Sequence, residues 1–118
     1  MKQNLYGVNL ITTKRIIEMS IKIGNYNFEG PFGSSSNLKD QSGVYAILGN
    51  NSGNNWDLVD VGESFQVKYR VENHERKMCW KQQDYANLKI AVFYTDENSR
   101  MRIEVELRYQ YNPPCGQR

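Results

Sequence analysis

A chain of 118 residues, 39% apolar and 24% charged with 8 tyrosines and 2 tryptophans, is long enough to bury one compact core and is neither disordered nor fibrous in composition. Its net charge of +2 is too small to declare a nucleic-acid partner, so that question rests on where basic residues cluster. No apolar run approaches the roughly 18 residues of a membrane span, and the stretch from Met1 to Gly7 lacks a secretory apolar segment, so a cytoplasmic protein with no membrane contact is the expectation.

The residues before Met19 show neither a helical nor a strand period, and Met19 itself is expected to be the biological start. From Ser20 the alternation of Ile21, Ile23, Tyr26 and Phe28 predicts a short strand or hairpin, closed by the breaker-rich Gly30-Pro31-Phe32-Gly33-Ser34-Ser35-Ser36. Residues 1–36 are thus set apart as an N-terminal extension and 37–118 as the domain proper. Gly43 to Leu48 has strand propensity and runs into the turn formers Gly49 to Asn55, before a second strand over Leu58 to Gly62, which predicts an antiparallel hairpin. Val67, Val71 and Met78 at i, i+4 and i+11 predict a helix, and Leu88 to Tyr94 a third strand. A final helix is predicted from an N-cap near Ser99 to just before Pro113-Pro114. The expected fold is α/β: a small three-stranded antiparallel sheet flanked by helices, with the N-terminal strand or hairpin as an extension.

Cys79 and Cys115 lack the paired CxxC spacing of a zinc site, a set using His74 with both has no evident fourth ligand, and two reduced thiols are expected. A thiol enzyme built on Cys79 and His74 is disfavoured because a spacing of five does not by itself bring a thiolate to its base.

Arg70 and His74 share the apolar stripe of Val67, Val71 and Met78, and Glu104 shares one with Leu107 and Tyr111. An inward guanidinium must find anionic partners or line a cleft, because burying it unpaired costs several kcal/mol. A core Arg70–Glu104 ion pair with His74 as a hydrogen-bonded core histidine would satisfy that periodicity. So would a site, because a tyrosine, an arginine, a histidine and a glutamate from separate elements are what phosphodiester chemistry uses: water activation, charge stabilisation and a carboxylate for a hard cation.

Those residues carry a resemblance. Gly43-Val44-Tyr45 stands where the GIY-YIG nucleases have GIY, and Asp60-Val61-Gly62 where they have YIG; Arg70 and His74 follow Asp60 by 10 and 14 residues, as that family's arginine and its His or Tyr do. Glu104, Leu107, Tyr111 and Pro113 fit the last helix of the family, and register selects Glu104 over Glu106. Over about Gly43 to Gly116 the chain resembles a single-domain bacterial member of that family. The resemblance implies that Tyr45 orients or deprotonates the attacking water, that His74 is general base or proton relay, that Arg70 stabilises phosphate charge, and that Glu104 is the single protein ligand of Mg²⁺ or Mn²⁺. Three departures stand out: Asp60 for the second-motif tyrosine, Glu63 where some members have lysine, and Gly116 where many have asparagine. A carboxylate at Asp60 is read either as a solvated strand-end group or as a substitute in water activation or metal binding.

Lys68, Arg76, Lys77 and Lys81, interleaved with Glu63, Glu72 and Glu75, make a mild basic stretch expected to track nucleic-acid backbone without base specificity; an ordinary solvated helix face fits the same residues. The expected function is a metal-dependent endonuclease of GIY-YIG type, weakened by Asp60 and acting on DNA ahead of RNA, with a protein partner or dimerisation for targeting. The alternative is a catalytically inactive nucleic-acid- or protein-binding module on the same fold.

Overall fold

A computed structural model of the chain describes residues 4–5, 7–13 and 16–116. The predicted central strands are present as β5 (Gly43–Asn50), β6 (Trp56–Ser64) and β7 (Asn87–Tyr94), with β5 in the middle, antiparallel to both. The class is α/β as expected, but among the described residues the sheet has seven strands rather than three. β1 (Asn4–Leu5) pairs with β6, while β4 (Tyr26–Phe32) pairs with β7 and continues through β3 (Ile16–Ile23) to β2 (Asn9–Thr13). The order is β1-β6-β5-β7-β4-β3-β2, antiparallel throughout. The predicted hairpin of Ile21 to Phe28 is therefore not a separate appendage: it covers the β7 edge, whose bare N–H and C=O groups would otherwise be a template for aggregation. Met19 lies within β3, paired with Leu10.

Alternation along β5 sends Val44, Ala46 and Leu48 to one face and Tyr45 and Ile47 to the other, so the sheet is buried on both sides. α3 (Glu97–Tyr111) covers the first face with Ile103 and Leu107. Two short helices, α1 (Val67–Glu72) and α2 (Lys77–Gln82), cover the second with Val67, Val71 and Trp80.

The single helix predicted over Val67 to Met78 is broken. Asn73 caps α1 with its amide on the Tyr69 carbonyl, and His74 Nδ1 takes the Arg76 backbone N–H, so side chains replace the helical ladder for one turn. The break rotates α2, leaving Met78 exposed and Trp80 buried. α3 starts earlier than expected: Asp96 is its N-cap, accepting from the Ser99 amide, and Ser99 lies in the first turn. Its end is as predicted, with Asn112 in a left-handed conformation before the prolines. Cys79 and Cys115 are not free thiols but a disulfide, with α carbons 5.9 Å apart. Among the described residues no helix is long and apolar enough to cross a membrane.

Candidate active site

Tyr45 points from β5 onto the α1–α2 face, where its ring lies directly over Gly62 of the neighbouring strand; a Cβ at Gly62 would collide with the phenol oxygen. The glycine that ends the second motif is thus required by the tyrosine of the first. Beyond it, the Tyr45 hydroxyl meets His74 Nε2 at 2.6 Å. Because His74 Nδ1 accepts the Arg76 amide at 3.0 Å, the neutral imidazole carries its hydrogen on Nε2 and donates it to the phenol oxygen. The imidazole stays neutral: burial, then the charges of Arg70 and Arg76, bring its pKa down to about 4, against weaker opposition from Asp60 and Glu75. Burial also raises Tyr45 to about 12, partly countered by the same two arginines.

Arg70 does not pair with Glu104. Its guanidinium, 32% exposed, makes a two-pronged bond to Glu75 at 2.5 and 2.8 Å, and this bond, aided by the nearby Tyr45 hydroxyl, holds it charged beyond its ordinary range. Glu75 in turn is drawn down to about 2 by Arg70. Arg70, Tyr45 and His74 therefore form one cluster, with Arg70 as its solvent-facing member.

Asp60 is neither solvated nor at a strand end open to water; its side chain has no exposed surface. It accepts from Arg76 Nε at 2.8 Å, Trp80 Nε1 at 2.7 Å, the Val61 amide at 2.8 Å and Arg108 Nη2 at 3.1 Å. Arg76 is accordingly turned inward: burial works against its charge but Asp60 outweighs it. Of the other basic residues expected on a binding surface, Lys77 donates to the Glu72 carbonyl at 2.6 Å, Lys68 is half-buried and Lys81 is exposed.

Glu104 joins this assembly through Arg108, whose Nε donates to its carboxylate at 2.8 Å, and the residue is 5% exposed. A metal at Glu104, as the resemblance implies, needs that carboxylate turned to a cation-sized opening with room for water ligands. Here a guanidinium holds it, and among the described residues no group of three or more His, Cys, Asp or Glu converges as ligands, so this donor set does not fit Mg²⁺ or Mn²⁺ as arranged.

Sequence reasoning named Tyr45, Asp60, Arg70, His74 and Glu104 but missed Glu75, Trp80 and Arg108, the partners that fix them. Beside the cluster, Ile47, Val71, Trp80, Leu88 and Ile90 line a cleft of about 200 Å³ whose lining also includes Glu72, Lys77, Lys81 and Lys89. No protein-family model matches the chain, and no curated protein or solved structure with significant similarity to it was found.

Proposed function

We propose that the chain is a GIY-YIG-like domain that binds the phosphodiester backbone of nucleic acid at Arg70 and Tyr45 and hydrolyses it as a weak endonuclease. The observation that carries this reading is the gathering of Tyr45 and His74, from β5 and the α1–α2 turn and hydrogen-bonded to each other, with Arg70 of α1 close enough for its charge to act on both. Arg70 is positioned to exchange its Glu75 carboxylate for a phosphate, whose two non-bridging oxygens can accept from the same guanidinium fork. His74 donates to the Tyr45 oxygen and so stabilises negative charge there, while the phenol hydrogen remains available to an incoming water or phosphate oxygen. The cleft beside Trp80, mainly apolar with Glu72, Lys77, Lys81 and Lys89 in its lining, suits the ring of a neighbouring base. DNA stands ahead of RNA as substrate, with a protein partner or second copy supplying target choice.

Mg²⁺ or Mn²⁺ would supply Lewis-acid stabilisation of the phosphate, but the engaged Glu104 gives no step to assign to it. With Arg70 alone facing the developing charge, slow turnover is expected, since one lost stabilising group costs about 10²- to 10³-fold. A second reading, a catalytically silent nucleic-acid-binding module, is favoured by the Glu104–Arg108 pair itself. Plasmid nicking in magnesium, manganese and EDTA separates the two. Slow nicking abolished by Arg70→Ala and Tyr45→Phe supports the enzyme, whereas salt-dependent retention of DNA without nicking leaves the binding module, and neither nicking nor retention sinks both.

A further inference from the structure

Arg108 spends every hydrogen-bond donor it has on oxygen. Nε reaches Glu104 Oε2 at 2.8 Å, Nη1 reaches the Cys115 and Gly116 carbonyls at 3.0 and 2.7 Å, and Nη2 reaches Asp60 Oδ1 at 3.1 Å and the Val61 carbonyl. A guanidinium has five N–H groups and here each has a partner. Two carboxylates and three carbonyls converging from β6, α3 and the segment after α3 are also the donor types that hold a hard divalent cation. The side chain is 11% exposed, so the charge is internal to the fold.

We infer that the Arg108 guanidinium is the resident cation of this site, filling an oxygen cage formed by Asp60, Glu104 and the carbonyls of Val61, Cys115 and Gly116, so that the native protein binds no divalent ion at Glu104. Two of the departures from the GIY-YIG pattern then act together. Asp60 supplies the second anion that draws Arg108 and Arg76 inward. Gly116 supplies the room: a Cβ there would lie 2.8 Å from Arg76 Nε and 2.9 Å from Arg108 Nη1, and its φ of +75° suits glycine besides. With the guanidinium in place, a divalent ion would have to displace five hydrogen bonds and approach a like charge. The inference stands apart from the nuclease reading, because it concerns what neutralises these carboxylates whether or not the chain cuts nucleic acid.

The test is metal binding followed by a readout other than cleavage. Paramagnetic Mn²⁺ titrated into ¹⁵N-labelled native protein is expected to leave the backbone amides of Val61, Glu104 and Gly116 unbroadened at millimolar ion. Selective broadening of these three overturns the inference. Arg108→Ala empties the cage, and the variant is expected to gain one Mn²⁺ site, broadening the same amides, with an affinity at least tenfold above that of the native chain. Adding Glu104→Gln to Arg108→Ala is expected to abolish the gained site. A folded Arg108→Ala protein that binds no more Mn²⁺ than the native one also overturns the inference; if circular dichroism finds that variant unfolded, the native titration decides alone.

Discussion

The His74 imidazole is enclosed by Tyr45 and Trp80 and faces the charges of Arg70 and Arg76, so mild acid acts on it differently in the folded and unfolded chain. Its folded pKa of about 4 lies below the ordinary 6.5, and between those values the unfolded chain takes up a proton that the native one refuses. Stability contributed by neutral His74 is therefore complete above about pH 6.5 and lost as pH falls toward 4, by up to about 3 kcal/mol. Glu75, held down to about 2, stays ionised through this window. Urea unfolding at pH 7.5 and 4.5 should show the loss in the native protein and a much smaller one in His74→Gln; equal losses would remove His74 as the cause. Asp60 is the other residue whose neighbours decide its role. Asp60→Asn leaves Arg76 and Arg108 facing a neutral amide in a dry setting, and is expected to cost about 3 kcal/mol or more in chemical denaturation. A loss below 1 kcal/mol would return Asp60 to a peripheral role.

At the scale of elements, what was legible followed local rules. β5, β6 and β7 could be read from strand propensity and from the Gly49 to Asn55 turn, and the end of α3 from Pro113-Pro114. Tyr45, Arg70 and His74 could be placed together by the resemblance to the GIY-YIG pattern, since helical periodicity alone fits a core ion pair as well. The break between α1 and α2 could not be read, because the local bonds of Asn73 and His74 that replace the ladder are accompanied by Asp60, distant in sequence, holding Arg76 and Trp80 inward. Arg108 escaped for the same reason: four residues after Glu104 it looks like half of a surface helix pair, while its other partners come from β6 and the segment after α3. The cap of α3 was misplaced because Ser99 and Asp96 are both good cap residues and only the structure decides between them. Asp96→Ala should destabilise by about 1 kcal/mol, and Ser99→Ala by less, in urea titrations; the reverse order would reassign the cap. Gly62→Ala tests the crossing of β5 and β6 at the site. The added methyl must push the Tyr45 ring aside, so a loss of about 1–3 kcal/mol is expected together with a changed ¹⁵N shift of the His74 ring, a signature that strand destabilisation elsewhere would not produce.

Across the whole molecule, the Cys79–Cys115 disulfide ties the helix bearing Trp80 to the segment whose carbonyls hold Arg108, and so closes the Asp60 network from both ends. Cys115 also donates its amide to the Val59 carbonyl, which leaves this segment fastened to β6 by backbone as well as by sulfur. The loop spans a separation of 36 residues, for which the chain-entropy treatment gives about 3–4 kcal/mol of stabilisation through restriction of the unfolded chain. Reduction should therefore lower the unfolding free energy by roughly that amount without rearranging the strands, because the seven-stranded sheet contains neither cysteine. Urea unfolding with and without a phosphine reductant, followed by far-ultraviolet circular dichroism, measures the difference. In the same samples, alkylation under denaturing conditions should label both cysteines only after reduction. Coincident unfolding curves, or full labelling of the untreated protein, would mean that hydrogen bonds alone hold the segment after α3 against β6, and that the Arg108 cage forms without the disulfide.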